Sequence, residues 1–452
     1  MTSVATKNES YLSHFRAAER SLSLNGPRWV HDIRTNALSR FLELGFPTAR
    51  RGNERWKYTN VGPIARAAFE YPTGTGPNGL TPADIKGAVL WHDSWANLVF
   101  VDGHYSEALS TAPGLTNGVR AGSLADAISA GDEAVESHLA RFASVEEDGF
   151  TALNTAFVRD GAFVSIPDGE SLETPLNLVF ISTDRGGPTV SYPRVLVVAG
   201  AESKATVIES YVGLTDSPYF TNAVAEIVVG DGAEIKHHRL LAENENAYHV
   251  GVARVRQSDN SSFTSRAFAK GAALGRYDLN VLLNGENTYC ELNGLYMTSG
   301  SQHMDNFINI EHTRPQGTSR LLYKGILDGK SRAIFGGTVL VRKEAQKTDS
   351  LQSDKNLLLS PDAEVDSKPA LFIYADDVKC GHGATAGNID QDTVFYMRSR
   401  GLDLEAASRL LLYGFASEII DTVELDGLRS YLETLFLESL PKYKFEFEGA
   451  AA

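Results

Sequence analysis

Cys380 and His382 stand two residues apart in Asp376-Asp377-Val378-Lys379-Cys380-Gly381-His382-Gly383-Ala384-Thr385, directly after the strand-like run Leu371 to Ala375. Successive side chains of a strand point to opposite faces, so a continuing strand puts this thiol and imidazole on one face. Such a pair suits zinc or iron–sulfur chemistry. It is too small a set for either, because both kinds of centre take about four protein donors. No second Cys/His group occurs in the sequence. A metal site here must therefore be completed by distant histidines or by another chain. Without that completion the pair reads as a packed, inert thiol beside a hydrogen-bonded histidine.

The other candidate residues carry less. His237 and His238 are adjacent on an expected strand and so point to opposite faces, which argues against joint ligation. His303 and Asp305 share a face, with His312 nearby, and read as polar packing. Cys290, in Asn287-Thr288-Tyr289-Cys290-Glu291-Leu292, reads as a core-facing strand cysteine. Gly325-Ile326-Leu327-Asp328-Gly329-Lys330-Ser331 imitates a phosphate-binding loop but has one residue too few between its glycines. The run that follows it, Arg332 to Val341, reads as a strand where a helix N-terminus is required. A turn between strands is the expected structure. No nucleophile elbow and no paired-carboxylate arrangement stand out.

The elements that must position these residues follow from composition and pattern. The chain has 452 residues, and length alone suggests about three domains. Its 40 glycines favour a turn-rich β architecture. A net charge of −15, from 57 acidic against 42 basic residues, gives no general attraction to nucleic acid or anionic lipid. Two cysteines fit a reducing compartment. With no signal-like apolar run at the N-terminus and no long apolar span anywhere, a cytoplasmic location is expected.

Residues 8 to 45 read as helical, with Leu12, Phe15, Leu22, Ile33, Leu38, Phe41 and Leu42 apolar and Gly45 as the stop. Residues 1–60 form an N-terminal helical region, and 61–155 a mixed connecting region with one helix expected from Leu124 to Phe142. The polar run from Arg50 to Asn60, with Trp56 and Tyr58 embedded, is expected to pack a connector against the body. From 156 to 388 short apolar runs alternate with Gly, Asp and Asn turns. Tyr277, Leu279, Val281 and Leu283 share one strand face. Val197 to Lys204 echoes Val229 to Lys236, and apolar-apolar-x-Gly turns recur at Leu282 to Gly285 and Ile326 to Gly329. Units with so little apolar surface each must stack, which predicts a β-solenoid core. A β-sandwich is the alternative. Residues 389–441 return to helical spacing, with Asp390 and Asp403 as caps and Leu404, Ala407, Leu411, Phe415 and Ile419 as a stripe. A third helix is expected from Leu425 to Leu440, followed by a tail at 442–452. The stripe, Leu404, Leu411 and Phe415 above all, reads as core packing or in part as a docking face for a partner.

At these residues the chain resembles a known family. Lys368 to Thr385, followed by Phe395-Tyr396-Met397-Arg398-Ser399-Arg400-Gly401, resembles the C-terminal signature of the SufD branch of the SufB/SufD family, which serves the SUF iron–sulfur cluster assembly system. Tyr323 to Leu327, Phe335-Gly336-Gly337 through Asp349, and Leu357 to Ser360 are similar to the family's preceding segments. Glu54-Arg55-Trp56-Lys57-Tyr58-Thr59 is similar to its N-terminal motif. The strong match spans about residues 300 to 425. The SufB branch has His-Glu-Ala where this chain has His382-Gly383-Ala384, which places the resemblance with SufD.

The resemblance implies a right-handed parallel β-helix flanked by helical domains, and a non-catalytic scaffold subunit of an ATPase-driven complex. It implies pairing with SufB along the β-helix and docking of the ATPase SufC on the C-terminal helices. A homodimer is the form it allows for the isolated chain. It implies that His382, at the SufB interface, is a ligand or essential residue for a transient iron–sulfur cluster or iron, with Cys380 in a less defined role. No cofactor is expected to stay bound to the isolated chain. The competing readings are a SufB-like scaffold that holds a cluster by itself and a β-solenoid enzyme acting on carbohydrate.

Overall fold

Two faces of one strand show why the core is a solenoid. Along Leu274–Leu283, Tyr277, Leu279, Val281 and Leu283 are all buried in one apolar cluster, while Asn280 and Leu282 face outward. The computed structural model describes residues 11–16, 26–50, 52–72, 76–115 and 118–440. Such strands are stacked into two facing sheets with the apolar cluster between them. The first sheet stacks Leu176–Ser182, Lys204–Gly213, Glu234–Ala242, Ser262–Lys270, Tyr289–Thr298, Thr318–Leu327, Asp349–Leu358 and Lys379–Gly387, all parallel. The second stacks Gly161–Ile166, Arg194–Ala199, Tyr219–Val229, Tyr248–Gln257, Leu274–Leu283, His303–His312, Arg332–Val341 and Glu364–Ile373, also parallel. The chain alternates between sheets, and each turn from Glu234 to Lys379 consumes 27 to 31 residues. This is a parallel β-solenoid of about 8 turns with helical regions at both ends.

The internal echo seen in the sequence is one corner repeated a turn later. The corner at Gly200 stacks on the one at Asp168 through the Gly200 N–H to the Ile166 carbonyl at 2.8 Å, and the corner at Gly230 stacks on it in turn through the Gly230 N–H to the Ala199 carbonyl at 2.9 Å. A Cβ on Gly230 would stand 2.8 Å from that same carbonyl oxygen, so the stacking itself selects glycine. Leu282 to Gly285 turns this corner too. Ile326 to Gly329 does not: it leaves the first sheet and turns the opposite corner. Gly329 sits in that turn at φ 67° and the strand Arg332–Val341 follows, so no phosphate-binding loop forms at Gly325 to Ser331.

Two sequence expectations shift in the 61–155 region. The segment from Leu124 to Phe142 is two short helices, Leu124–Ser129 and Glu133–His138, because Gly131 takes φ 69° between them. The strand Ala96–Val101, buried along its whole length, pairs in parallel with Leu176–Ser182, so the first sheet begins well before residue 156. Continuous burial hides the alternation that marks a half-exposed strand.

The helix Arg28–Leu44 ends at Gly45 (φ 63°), whose N–H donates to the Phe41 carbonyl. Leu12 and Phe15 lie in helical residues 11–16 and pack near Phe41 and Phe157, whereas Leu22 and the rest of 17–25 lie outside the described residues. At the other end come helices Gln391–Ser399, capped by Asp390, and Leu404–Ile420, capped by Asp403, then Asp426–Ser439. The 442–452 tail lies outside the described residues. No helix among the described residues is long and apolar enough to cross a membrane.

Candidate functional site

The strands Lys379–Gly387 and Glu364–Ile373 are the last of their sheets, and each pairs on one side only. Their outer edges present unpaired backbone groups, a template for pairing with another chain. Large apolar side chains stand exposed around this open turn: Leu351, Phe372, Ile373 and Tyr374. A solenoid interior normally gets its cover from the next turn, and no next turn follows here among the described residues.

Cys380 and His382 lie on the inward side of this last strand. Register aligns Cys380 with Ser350, Ser319 and Cys290 on successive turns, and His382 with Gln352, Leu321 and Leu292. Cys380 packs against the interior cluster and is half-buried. Burial raises its thiol pKa, the Ser350 backbone N–H pulls it down and Asp349 pushes it up, leaving it above the ordinary cysteine value. His382, two residues on, is exposed and makes no side-chain hydrogen bond or ion pair among the described residues. The two share a face as the spacing requires, with the thiol under the lip and the imidazole beyond it. No group of three or more His, Cys, Asp and Glu side chains that could hold a metal ion occurs among the described residues.

The pattern of the last turns also brings up groups the sequence did not single out. Gln352 and Asp354 point inward on Asp349–Leu358, and Asp354 is fully buried with Asn356 donating to it at 2.8 Å. Burial pushes the Asp354 carboxyl up to about 6. Only register with Cys380 and His382 reveals these positions, and register cannot be read before the turn length is known.

Cys290 is completely buried, which raises its thiol pKa strongly, so it is an interior packing group. Iodoacetamide should therefore add one label to the native chain, at Cys380, and a second only in denaturant; intact mass reads this directly. Two rapid native labels would contradict the burial described here. His237 faces the interior, within 3.1 Å of Glu209 and 2.9 Å of Ser265, whereas His238 points the other way. His312 bonds Ser319 at 2.9 Å inside the solenoid.

His303 and Asp305 have a different use. The segment from Glu54 to Thr59 clips onto the outer face of the second sheet. Thr59 bonds both His303, at 3.0 Å, and Asp305. Arg55 donates to Asp278 at 2.7 Å, and the Arg276 guanidinium lies 3.9 Å from the centre of the Trp56 ring. Lys368 reaches Glu54 at 2.7 Å from the last turn. The motif that looked like a connector is a clamp across several turns of the solenoid.

The C-terminal helices cover the outer face of the first sheet. Ala407, Leu412, Ala416 and Ile419 share a cluster with Ile208, Leu240, Phe268, Leu295 and Ile326. Leu404, Leu411 and Phe415 are half-buried against this cluster. Lys324 holds Phe415 further, with Nζ 2.7 Å from its carbonyl oxygen and 4.2 Å from its ring centre. The large apolar side chains left exposed on these helices and their connection, among the described residues, are Phe395 (72% exposed), Tyr396 (58%), Leu410 (54%) and Leu402 (38%).

Comparison with known proteins agrees with this architecture. The family described as "SUF system FeS cluster assembly, SufBD core domain" matches residues 180–415, and "SufBD protein N-terminal region" matches residues 5–178. The iron–sulfur cluster assembly protein SufD of Escherichia coli is 34% identical over 414 residues, covering 89% of this chain and 92% of that protein. An iron–sulfur cluster assembly SufBD family protein of Synechocystis is 32% identical over 84% of this chain and 85% of its own. SufD of Bacillus subtilis is 26% identical over 94% and 96%.

Proposed function

The chain belongs to the SufBD family of iron–sulfur cluster assembly proteins, and from that premise we propose that it acts as a SufD-type, non-catalytic scaffold subunit. The observation that carries this reading is the open last turn, where unpaired strand edges, exposed apolar side chains and an incomplete donor pair coincide. A SufB-type partner pairs there and covers the interior. His382 then supplies one ligand, or positions iron or sulfur, for a cluster that is the cargo and passes on. Cys380 supports it from under the lip. Cys380 and His382 are too few to hold a cluster alone, so the chemistry depends on the second chain. Purifying the tagged chain from cells that carry the pathway, and identifying what accompanies it, tests the reading. Recovery of the chain alone under conditions that preserve other SUF contacts would sink it.

The C-terminal helices dock a SufC-type ATPase in this proposal, and the exposed Phe395, Tyr396, Leu402 and Leu410 are the better candidates for its contact surface. Deleting everything after Gly401 is a poor test, because it would strip the cover from Phe268, Leu295 and Ile326. Phe395→Asp combined with Leu410→Asp leaves that cluster alone. ATPase capture in a pull-down should fall at least about tenfold, as truncated interface anchors typically cost more than 1 kcal/mol each. Leu411→Asp should instead destabilise the helical end itself. Undiminished capture by the Phe395/Leu410 variant would place docking elsewhere.

A further inference from the structure

The outer face of the second sheet carries a groove of about 420 Å³ beyond the Glu54–Thr59 clamp. Its floor follows from strand register. Arg254, Asn280, Asn309 and Thr338 align across four neighbouring strands, and Arg256, Leu282, Glu311 and Leu340 align beside them. Its end wall is Arg141 and Phe142.

That wall is fixed in advance. The backbone N–H groups of Ala140, Phe142 and Ala143 all donate to the Glu226 carboxylate, at 2.8, 2.8 and 3.0 Å. Glu226 is fully buried and paired with Arg194, and Ala140 is held at φ 57° to make the bend. A loop pinned by one buried carboxylate loses little freedom when a ligand arrives.

The charge in the groove is cationic although the whole chain carries −15. Arg254 is committed to Asp278 at 2.9 Å, and Glu311 is neutralised by Arg342 at 2.6 Å. Arg256 lies over the Phe142 ring at 5.6 Å, and neither it nor Arg141 forms an ion pair with a carboxylate among the described residues. These two guanidiniums, with Arg141 donating only to the Glu136 backbone carbonyl at 3.5 Å, stand with an amide ladder, Asn309 to Asn280 at 2.5 Å, and the Thr338 hydroxyl. Guanidinium forks match phosphate oxygens in pairs. Phe142, Leu282 and Leu340 add an apolar wall that an inorganic ion would leave uncovered.

We propose that this groove binds a small phosphate-bearing organic anion with a flat apolar body, the phosphate on Arg141 and Arg256 and the body along Phe142 and Leu282. The size fits the usual range for such sites, roughly 300 to 1,000 Å³. Isothermal titration of the full chain with naphthyl phosphate and, separately, inorganic phosphate tests it. Naphthyl phosphate should bind at one site, more tightly than inorganic phosphate, and more weakly as salt rises. Arg141→Gln with Arg256→Gln should weaken both probes at least tenfold. Neither arginine is part of an ion pair that the fold needs, and circular dichroism checks that the variant is folded. Phe142→Leu should weaken naphthyl phosphate while leaving inorganic phosphate unchanged. Absence of saturable binding at millimolar naphthyl phosphate, or equal binding by the double arginine variant, would overturn the assignment.

Discussion

His382→Ala is expected to leave the protein folded and its partner contacts in place while cluster delivery falls about tenfold to a hundredfold or more. The split between these two readouts is the content of the prediction. His382 is exposed and its side chain makes no hydrogen bond or ion pair among the described residues, so its removal takes nothing from the solenoid. Surface changes of that kind usually move stability by less than about 0.5 kcal/mol. One side chain is also a small part of the proposed strand-edge interface, to which backbone pairing and the exposed Leu351, Phe372 and Tyr374 would contribute. A ligand, by contrast, has no substitute in a site already short of donors, and even outer partners of metal ligands cost about tenfold to a hundredfold when removed. Cys380→Ser separates the two roles left for the thiol. A packed thiol tolerates the change, since serine keeps the shape, whereas a ligand does not. The measurement is complementation in cells that depend on this pathway, with the recovered complex checked for composition. Full activity of the His382→Ala protein would refute the site while leaving family membership untouched.

The two-residue spacing of Cys380 and His382 needed only the period of a strand, and that period is the most robust local signal in the chain. The caps at Asp390 and Asp403 were readable for a similar reason, because each satisfies helix N–H groups within its own first turn. What could not be read were contacts set by stacking. Gln352 comes beside His382 only after a turn of 30 residues has been counted off between their strands. The orientation of Leu411 and Phe415 depends on which sheet face the helix covers, and an apolar stripe looks the same toward a core or toward a partner. Phe395 and Tyr396 were visible as part of a motif, but their exposure was not. Ala96–Val101 was missed because both its faces are buried, which removes alternation altogether. His303 and Asp305 looked like ordinary polar packing, and their partner proved to be Thr59, 244 residues from His303.

That clamp supports the other large expected effect. Asp278 is fully buried and is approached by three guanidiniums, Arg55 at 2.7 Å, Arg254 at 2.9 Å and Arg276 at 3.4 Å. Burial alone would raise its carboxyl. The pull of Arg55, Arg254 and Arg276 outweighs that and holds it well below the ordinary carboxylate range. Asp278→Asn keeps the shape and removes the charge, leaving three cations facing one another around a neutral amide. Breaking one partner out of a buried ionic group typically costs about 3 to 5 kcal/mol. The loss should fall first on the Glu54–Thr59 clamp, since Arg55 is the member that comes from outside the sheet. Limited proteolysis should then cut near residues 50 to 60 in the variant and spare them in the parent protein. The pH dependence has a definite sign. A carboxyl depressed in the fold contributes its full stability above its unfolded value, 3.8, and loses it as pH falls toward the folded one. The parent protein should therefore release the clamp in acid below about pH 4, and the gap between parent and variant should narrow there. A gap that stays constant from pH 7 down to pH 3 would show that the carboxylate charge is not what secures the clamp.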